Sequence, residues 1–174
     1  MKILFATAEL TPVVRVGGLA EAAAGLVSAL RASGADVDVV LPDYGGVELA
    51  ESTEIDLDVP PWVGDVRVRT GVHPVAGPLT LVHVPGIDRP HPYVDEHGEG
   101  WGDNDHRFMS FSAVIAALTT KTRPDVLHLN DWHTAAAVGM LPDRPPTVLT
   151  IHTLGYQGCL LYTSPSPRDM IPDL

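Results

Sequence analysis

The stretch KILFATAELTPVVRVGGLAEAAAGLVSALRASGADVDVVL, residues 2–41, decides the fold. It begins with a compact apolar run, residues 2–6, of the kind expected of a strand buried on both faces of a sheet. After an irregular stretch, Gly17-Gly18 opens a segment whose apolar residues recur at helical spacing as far as Gly34, which supplies the left-handed residue that ends a helix. Residues 36–41 are a second buried run. This order of elements predicts a right-handed βαβ unit with helices packed on a parallel sheet.

The chain continues with short strands, a loop and a second long helix. The apolar runs between residues 53 and 84 predict a small β-meander inserted at the edge of the sheet; they are Ile55-Leu57-Val59, Val66-Val68 and Leu79-Leu81-Val82. Residues 85–102 are rich in Gly, Pro, His and charge, and we interpret them as an exposed loop with no structure of its own. Asp103 or Asn104 can cap the next helix, which presents one apolar face. Strands at 126–129 and 147–151, with a short helix at 134–140 between them, complete the prediction.

These elements predict an α/β fold with a Rossmann-like parallel sheet sandwiched between helices. The 174 residues leave no room for a second full domain, so residues 1–158 are assigned to one domain. In residues 159–174, Ser164-Pro165-Ser166-Pro167 cannot continue a helix or a central strand, and the surrounding string resembles a translated sequencing adapter. We therefore expect that tail to be non-native or disordered, and the natural protein to continue past Gly158.

Charge and composition narrow the class of protein. The formal net charge is −11, from 22 acidic and 11 basic residues, which argues against a nucleic-acid partner and against docking to an anionic membrane. The chain has no apolar run near the roughly 20 residues that a membrane span requires, and its start is not typical of a signal peptide. The lone Cys159 permits no internal disulfide. We predict a soluble cytoplasmic protein.

The first candidate for chemistry is the turn Arg15-Val16-Gly17-Gly18-Leu19, between the first strand and its helix. Two adjacent glycines allow a ligand to approach the backbone closely, and amides at a helix start carry partial positive charge suited to phosphate. The same pair is equally consistent with a plain tight turn, since it matches neither the dinucleotide fingerprint nor the Walker loop.

The second candidate, residues 128–133, lies where a buried strand gives way to a helix. In open parallel sheets ligands bind outside the carboxyl ends of the strands, so Asp131 is placed to accept hydrogen bonds from sugar hydroxyls. Trp132 can pack on a sugar face or in the core, and we favour the core. His128 and His133 accompany Asp131, but no further carboxylate cluster follows, so no metal site is predicted.

The third candidate, residues 151–158, again follows a strand directly. There His152 can meet a substrate through its ring or through its backbone carbonyl, although an isolated histidine is more often structural. Because three polar segments follow three strands of one predicted sheet, we expect Arg15, Gly17, Asp131 and His152 to gather along one edge.

Taken in order, these segments resemble the amino-terminal domain of the glycogen and starch synthases, retaining glucosyltransferases built from two Rossmann-like domains (the GT-B architecture). The motifs that carry the resemblance span nearly all of residues 1–158. They are Lys2-Ile3-Leu4-Phe5 to Glu9 with Pro12, Gly17-Gly18-Leu19, Val39-Val40-Leu41-Pro42, Asp103-Asn104 with Arg107-Phe108, Pro124-Asp125-Val126-Leu127-His128, Asp131-Trp132-His133, and Thr150-Ile151-His152 with Tyr156-Gln157-Gly158.

The resemblance implies glucose transfer from a nucleotide sugar, ADP-glucose in bacteria, to the non-reducing end of an α-1,4-glucan. It implies that Asp131 and His152 serve glucose binding and catalysis, that Arg15, Gly17 and Gly18 contact the donor, and that neither a metal nor another cofactor is needed. It also implies a second Rossmann domain in cis, absent from these 174 residues, without which the chain would be inactive.

Three positions depart from the family pattern. Arg15 stands where the family usually has a lysine, with Val16 in place of a threonine, and Ile87 stands near an expected tyrosine. A guanidinium keeps the charge of a lysine but not its shape, so the donor geometry can differ. Two alternatives therefore stay open: a GT-B glycosyltransferase with another donor or acceptor, or a domain that binds glucan without catalysis.

Overall fold

The computed structural model describes residues 1–153, in which seven strands and four α-helices form one α/β unit. The elements are β1 (Lys2–Ala6), α1 (Gly18–Ala32), β2 (Asp36–Pro42), β3 (Ala50–Glu54), β4 (Arg67–His73), β5 (Gly77–His83), α2 (Asn104–Thr122), β6 (Val126–Asn130), α3 (Trp132–Ala135), α4 (Ala137–Met140) and β7 (Thr147–Thr150). Within residues 1–153, none of the helices combines the length and the apolar character that crossing a membrane requires. The predicted tail, 159–174, lies outside the described residues.

The strands form one sheet in the order β3-β4-β5-β2-β1-β6-β7. The five strands from β5 to β7 are parallel, whereas β4 runs antiparallel to β5 and β3 antiparallel to β4. The predicted Rossmann-like sheet with an antiparallel meander at its edge is therefore confirmed. Because β1 lies between β2 and β6, the chain reverses direction across the sheet next to β1, and such a reversal opens a crevice at the carboxyl ends of the strands.

Both faces of the sheet are covered, as the apolar runs predicted. On one face α1 contributes Ala23 and Val27 to a core with residues of β1, β2 and β5. On the other face α2 contributes an apolar side to the larger core, consisting of Phe108, Phe111, Ile115 and Leu118. The left-handed conformation predicted for Gly34 is present, with φ of +90°, just beyond the end of α1.

The meander differs from the prediction in one strand. The alternating residues Ile55, Leu57 and Val59 form no strand; β3 lies just before them, at Ala50–Glu54, and is fully exposed. The three apolar side chains instead pack against the α2-side core from an irregular segment that ends at a short 3₁₀ turn, Pro61–Val63. The alternating pattern therefore predicted the burial of these side chains correctly. They are buried by packing against the core, although their segment forms no strand.

The prediction of an exposed loop at 85–102 is confirmed only in part. The segment contains no helix or strand, but Ile87 is fully buried in the α2-side core and Pro92 is buried as well. The N-cap residue of α2 is Asp103, yet its side chain makes no capping bond and pairs with Arg89 instead. The loop is thus fastened to the start of α2.

The predicted helix at 134–140 is divided into two four-residue helices, α3 and α4, the first beginning at Trp132. The last described strand, β7, follows at the open edge of the sheet. Its Val148 and Leu149 are 47% and 44% exposed, on opposite faces of the sheet.

Candidate functional site

A cleft of about 320 Å³ opens at the carboxyl edge of the sheet, where the segments after β1, β6 and β7 meet. It lies where parallel strands end on either side of β1, the place expected for a ligand. Its lining residues are Glu9, Gly17, Gly18, Leu19, Tyr93, Val94, Gly98, Gly100, Asp131, Trp132, His133 and Thr153.

Glu9 joins two walls of the cleft. Its side chain is buried, with 4% of the residue exposed, and Oε2 accepts hydrogen bonds from the amides of Val16 and Gly17, each at 2.8 Å. Its Oε1 accepts a bond from the hydroxyl of Tyr93, also at 2.8 Å. One wall is residues 9–18, here called the glycine turn, and the other is residues 84–103, called the tyrosine loop. Glu9 therefore holds the two together through charge-assisted bonds.

The glycine turn has the open surface that a close ligand approach requires. A Cβ atom added at Gly17 or Gly18 would meet no other atom within 4 Å, so the space beside both glycines is empty. Gly17 has an extended backbone, and Gly18 begins the 15-residue helix α1. The amide of Gly17 is directed to Glu9, while the first turn of α1 presents its partial positive charge at the edge of the cleft.

Arg15 lies on the outer flank of the glycine turn. Its side chain is 68% exposed, and its Nε is 3.5 Å from Oε1 of Glu21 on α1. Arg15 is absent from the cleft lining, whereas the neighbouring Gly17 and Gly18 belong to it. Exposed ion pairs contribute only about 0–1 kcal/mol, so this side chain is readily released toward an anion.

Asp131 occupies the floor of the cleft in a strained conformation. Its φ of +56° and ψ of −177° lie near a region that glycine almost alone adopts, which costs roughly 1–3 kcal/mol. Its amide donates to the carbonyl of Thr150, and Oδ1 accepts from the amides of His152 and Thr153 at 2.7 and 3.3 Å. No donor within residues 1–153 reaches Oδ2. The residues that follow β7 thus hold Oδ1 of this buried carboxylate, and Oδ2 has no donor among residues 1–153.

His152 contacts Asp131 through its backbone, not through its ring. The ring nitrogen Nε2 is 3.3 Å from Oδ1 of Asn130, whose Nδ2 donates to the carbonyl of Ala6. Because the amide group of Asn130 is oriented by that bond, its oxygen accepts and Nε2 of His152 carries the proton. Within the protein, the backbone amide of His152 therefore lies at Asp131 and its ring at Asn130, the last residue of β6; the contact of its ring or carbonyl with a substrate stays a prediction.

His133 and Trp132 form an aromatic layer beneath the cleft. The ring of His133 lies 4.2 Å from that of Trp132, 4.7 Å from Phe108 and 5.0 Å from Tyr93, between ring centres. Burial, and then the charge of Arg107, lowers the pKa of His133 to about 3, so the ring is neutral. Trp132 is half-buried against the α2-side core, as favoured from the sequence, and also lines the cleft.

The histidine inside β6 has a structural environment. Nε2 of His128 is 2.8 Å from Oγ1 of Thr150, and the ring packs edge-on against Phe5. Burial, and then the nearby His152, lowers the pKa of His128. Across the part of the chain that is described, no three His, Cys, Asp or Glu side chains cluster in a way that could hold a metal ion.

Sequence reasoning missed Glu9 and Tyr93. Ile87, which stands near the tyrosine expected from the family, belongs to the core, but Tyr93 reaches the cleft from the same loop six positions later. Burial, then Tyr44 and Glu9, raises the pKa of Tyr93 far above its usual range, so its hydroxyl remains a donor. A carboxylate three residues beyond a buried strand was the one available signal for Glu9.

Curated proteins of similar sequence include glycogen synthases. Over 191 aligned positions the whole chain is 38% identical to a glycogen synthase of Paramagnetospirillum magneticum, and 91% of it is 41% identical to the glycogen synthase of Thioalkalivibrio sulfidiphilus. The chain spans only 37% and 36% of the length of these relatives.

Solved structures include similar folds. The catalytic domain of starch synthase IV from Arabidopsis thaliana, bound to ADP and acarbose, superposes with a TM-score of 0.67 at 26% identity, over 90% of this chain and 34% of that one. A sucrose-phosphate synthase from Thermosynechococcus elongatus, at 17% identity and a TM-score of 0.50, shares the fold over 88% of this chain and 33% of its own. The family model described as the starch synthase catalytic domain matches residues 2–169. Since that match covers nearly the whole chain, the chain belongs to the starch synthase catalytic-domain family.

Proposed function

We propose that this chain forms the acceptor-side domain of a retaining glucosyltransferase that moves glucose from a nucleotide sugar, ADP-glucose, to the non-reducing end of an α-1,4-glucan. The observation that carries the proposal is Asp131, a buried and strained carboxylate with one unengaged oxygen, opposite the glycine turn in a cleft of a starch synthase family member. Strain of this kind concentrates at functional sites.

The proposed chemistry places opposite demands on the two ends of the cleft. As the nucleoside diphosphate departs, negative charge grows on the phosphate and positive charge on the sugar ring, and both need stabilisation. The first turn of α1 with Gly18, together with Arg15, would serve the phosphate. Asp131 and the carbonyl of His152 would orient the glucose and stabilise the positive ring.

In the glycine turn, Glu9 and the proposed diphosphate would use different donor groups. Because Glu9 already engages the amide of Gly17, the Gly18 amide and the Arg15 guanidinium are the donors proposed for the diphosphate. Arg15 must first leave Glu21, a loss of about 1 kcal/mol at most for an exposed pair. Because Arg15 stands where the family usually has a lysine, its guanidinium would offer two parallel N–H donors in place of the single point charge of an ammonium.

The donor and acceptor are proposed from the relatives. The relatives named above are glycogen synthases, and the starch synthase IV structure holds ADP and acarbose. As these proteins are nearly three times as long as the chain, we infer that glucose transfer needs a further domain in cis and that this chain alone is inactive. A cytoplasmic location is part of the same proposal.

The test is a chimera in which residues 1–158 replace the aligned part of the Paramagnetospirillum magneticum glycogen synthase. We expect transfer of labelled glucose from ADP-glucose to glycogen. Asp131→Asn should lower kcat by about 100-fold or more, the scale of a lost electrostatic group. Asp65→Asn makes the same change on the exposed surface and should leave kcat unchanged.

The outcomes separate the alternatives. A folded chimera that binds maltoheptaose but transfers no glucose supports a non-catalytic glucan-binding domain, and transfer from another nucleotide sugar alone corrects the donor. If the chimera does not fold, titration of the intact 174-residue chain with maltoheptaose decides. Binding that Asp131→Asn does not weaken would then overturn the role of Asp131.

A further inference from the structure

The tyrosine loop contains no helix or strand to fix it, yet it delivers Tyr93 to the cleft. Its attachment comes from the first turn of α2. Nδ2 of Asn104 donates to the carbonyl of Tyr93 at 2.8 Å, and Arg107 donates from Nη2 to the carbonyl of Pro92 and from Nη1 to that of Gly86. Asn104 and Arg107 therefore hold the consecutive carbonyls of Pro92 and Tyr93, and Arg107 also holds the carbonyl of Gly86 near the start of the loop.

We propose that Asn104 and Arg107 are positioning residues that hold the backbone at Tyr93 so that its hydroxyl reaches Glu9 and sets the glycine turn for ligand binding. Neither side chain lines the cleft. The proposal rests on the proposed function for its effect on substrate binding, but its geometric part concerns this chain alone.

The two side chains orient each other. They lie three positions apart on α2, so they face the same side of the helix. Nη2 of Arg107 donates to Oδ1 of Asn104 at 2.8 Å. That bond fixes which end of the Asn104 amide accepts, and the Nδ2 end must then point to the carbonyl of Tyr93.

Burial of Arg107 is hard to explain by stability alone. The residue is fully buried, yet it forms no salt bridge within residues 1–153, and its Nε has no hydrogen-bond acceptor there. The hydrogen bonds of its side chain within residues 1–153 go to two loop carbonyls and to Asn104. An apolar side chain of similar volume would avoid the loss of hydration, so a buried cation aimed at carbonyls points to a role in shaping the loop.

The geometric path from α2 to the glycine turn is continuous. The carbonyl of Tyr93 accepts from Asn104 at 2.8 Å and from the amide of Trp101 at 3.1 Å, and its ring packs between Phe108 and His133. The hydroxyl then donates to Glu9, whose other oxygen holds the amide of Gly17. A shift of the Tyr93 backbone therefore changes the environment of the Gly17 amide, which is far from α2 in the sequence.

A double-mutant cycle in the chimera tests the proposal. Tyr93→Phe and Asn104→Ala should each raise the KM for ADP-glucose about tenfold with little change in kcat, and the double variant should also raise it only about tenfold. Asp105→Ala, a truncation of the exposed neighbour on α2, should leave KM unchanged. Arg107→Lys should restore part of the binding that Arg107→Ala loses. A multiplicative rise in the double variant would overturn the coupling through Tyr93.

A second readout does not depend on catalysis. In the amide NMR spectrum of the 174-residue chain, Asn104→Ala and Tyr93→Phe should both move the Val16 and Gly17 signals, and Asp105→Ala should not. Moved signals without glucose transfer would retain the positioning role and reject the proposed function. Unmoved signals in folded Asn104→Ala would overturn the positioning role itself.

Discussion

The two walls of the cleft are built by different means. The glycine turn is tied to its neighbours by backbone bonds, from Leu10 to Val14 and from Thr11 to Ala20, and it is continuous with β1 and α1. The tyrosine loop depends on side chains of α2 for its attachment. One wall therefore follows from local backbone geometry, whereas the other also depends on two α2 side chains that lie just beyond the loop in the sequence.

The largest expected effect compares the arginines of the two walls. Arg107→Ala takes the donor from the Pro92 carbonyl, removes one of the two side-chain donors to the Gly86 carbonyl and opens a cavity, so we expect the free energy of unfolding to fall by about 3 kcal/mol. Arg15→Ala on the glycine turn removes only an exposed ion pair and should change it by less than about 0.5 kcal/mol. Urea unfolding of both variants measures the difference. Equal effects would remove the distinction between the walls.

A second comparison tests the hydrogen bond from Tyr93 to Glu9, which joins the two walls. Tyr93→Phe takes a donor from the buried Glu9 carboxylate and should lower the free energy of unfolding by about 2 kcal/mol, as expected for a bond to a charged group. Tyr44→Phe removes a hydroxyl that donates to the carbonyl of Ala8, an uncharged acceptor at 3.2 Å, and should lower it by only about 1 kcal/mol. The unfolding midpoints decide, and a larger loss for Tyr44→Phe would contradict the importance of Glu9.

The same contrast explains how far the sequence could predict the fold. The central strands could be predicted from their mostly apolar runs, because each of them lies inside the sheet with both faces covered. Strand β3, with the sequence AESTE, carries no apolar signal and is held only by its ladder with β4. The burial of the tyrosine loop depends on Arg107, whose side chain looks like a surface charge until α2 is placed.

The candidate site was predictable to a similar degree. The topology of a parallel sheet brings Asp131 and Gly17 to one edge, and that much follows from strand order. The positive φ of Asp131 and the outward pairing of Arg15 depend on contacts with Thr150 and Glu21, which no motif encodes. Glu9 was missed because an isolated carboxylate in an irregular stretch gives no periodic signal.

The last prediction concerns His133, in the aromatic layer beneath the cleft. It is that the free energy of unfolding depends on pH through this residue. The pKa of His133 is lowered to about 3, below its ordinary value, chiefly by burial. Above the ordinary value of about 6.5 both the folded and the unfolded chain hold a neutral ring, so the folded state is then at its most stable. As the pH falls below 6.5, His133 is protonated in the unfolded chain but stays neutral in the folded one. The free energy of unfolding therefore declines.

Between pH 6.5 and 5.0 this histidine should lower the free energy of unfolding by roughly 1.5 kcal/mol, before most carboxylates begin to titrate. His133→Gln replaces the ring with a group that does not titrate, so its stability should vary less over this interval. His97→Gln changes an exposed histidine of the tyrosine loop and should keep the slope of the unaltered chain. Urea unfolding at several pH values measures the three slopes. If His133→Gln retains the full dependence of the free energy of unfolding on pH, the acid sensitivity comes from other groups. The buried ring of His133 is then not the neutral surface against which Tyr93 packs.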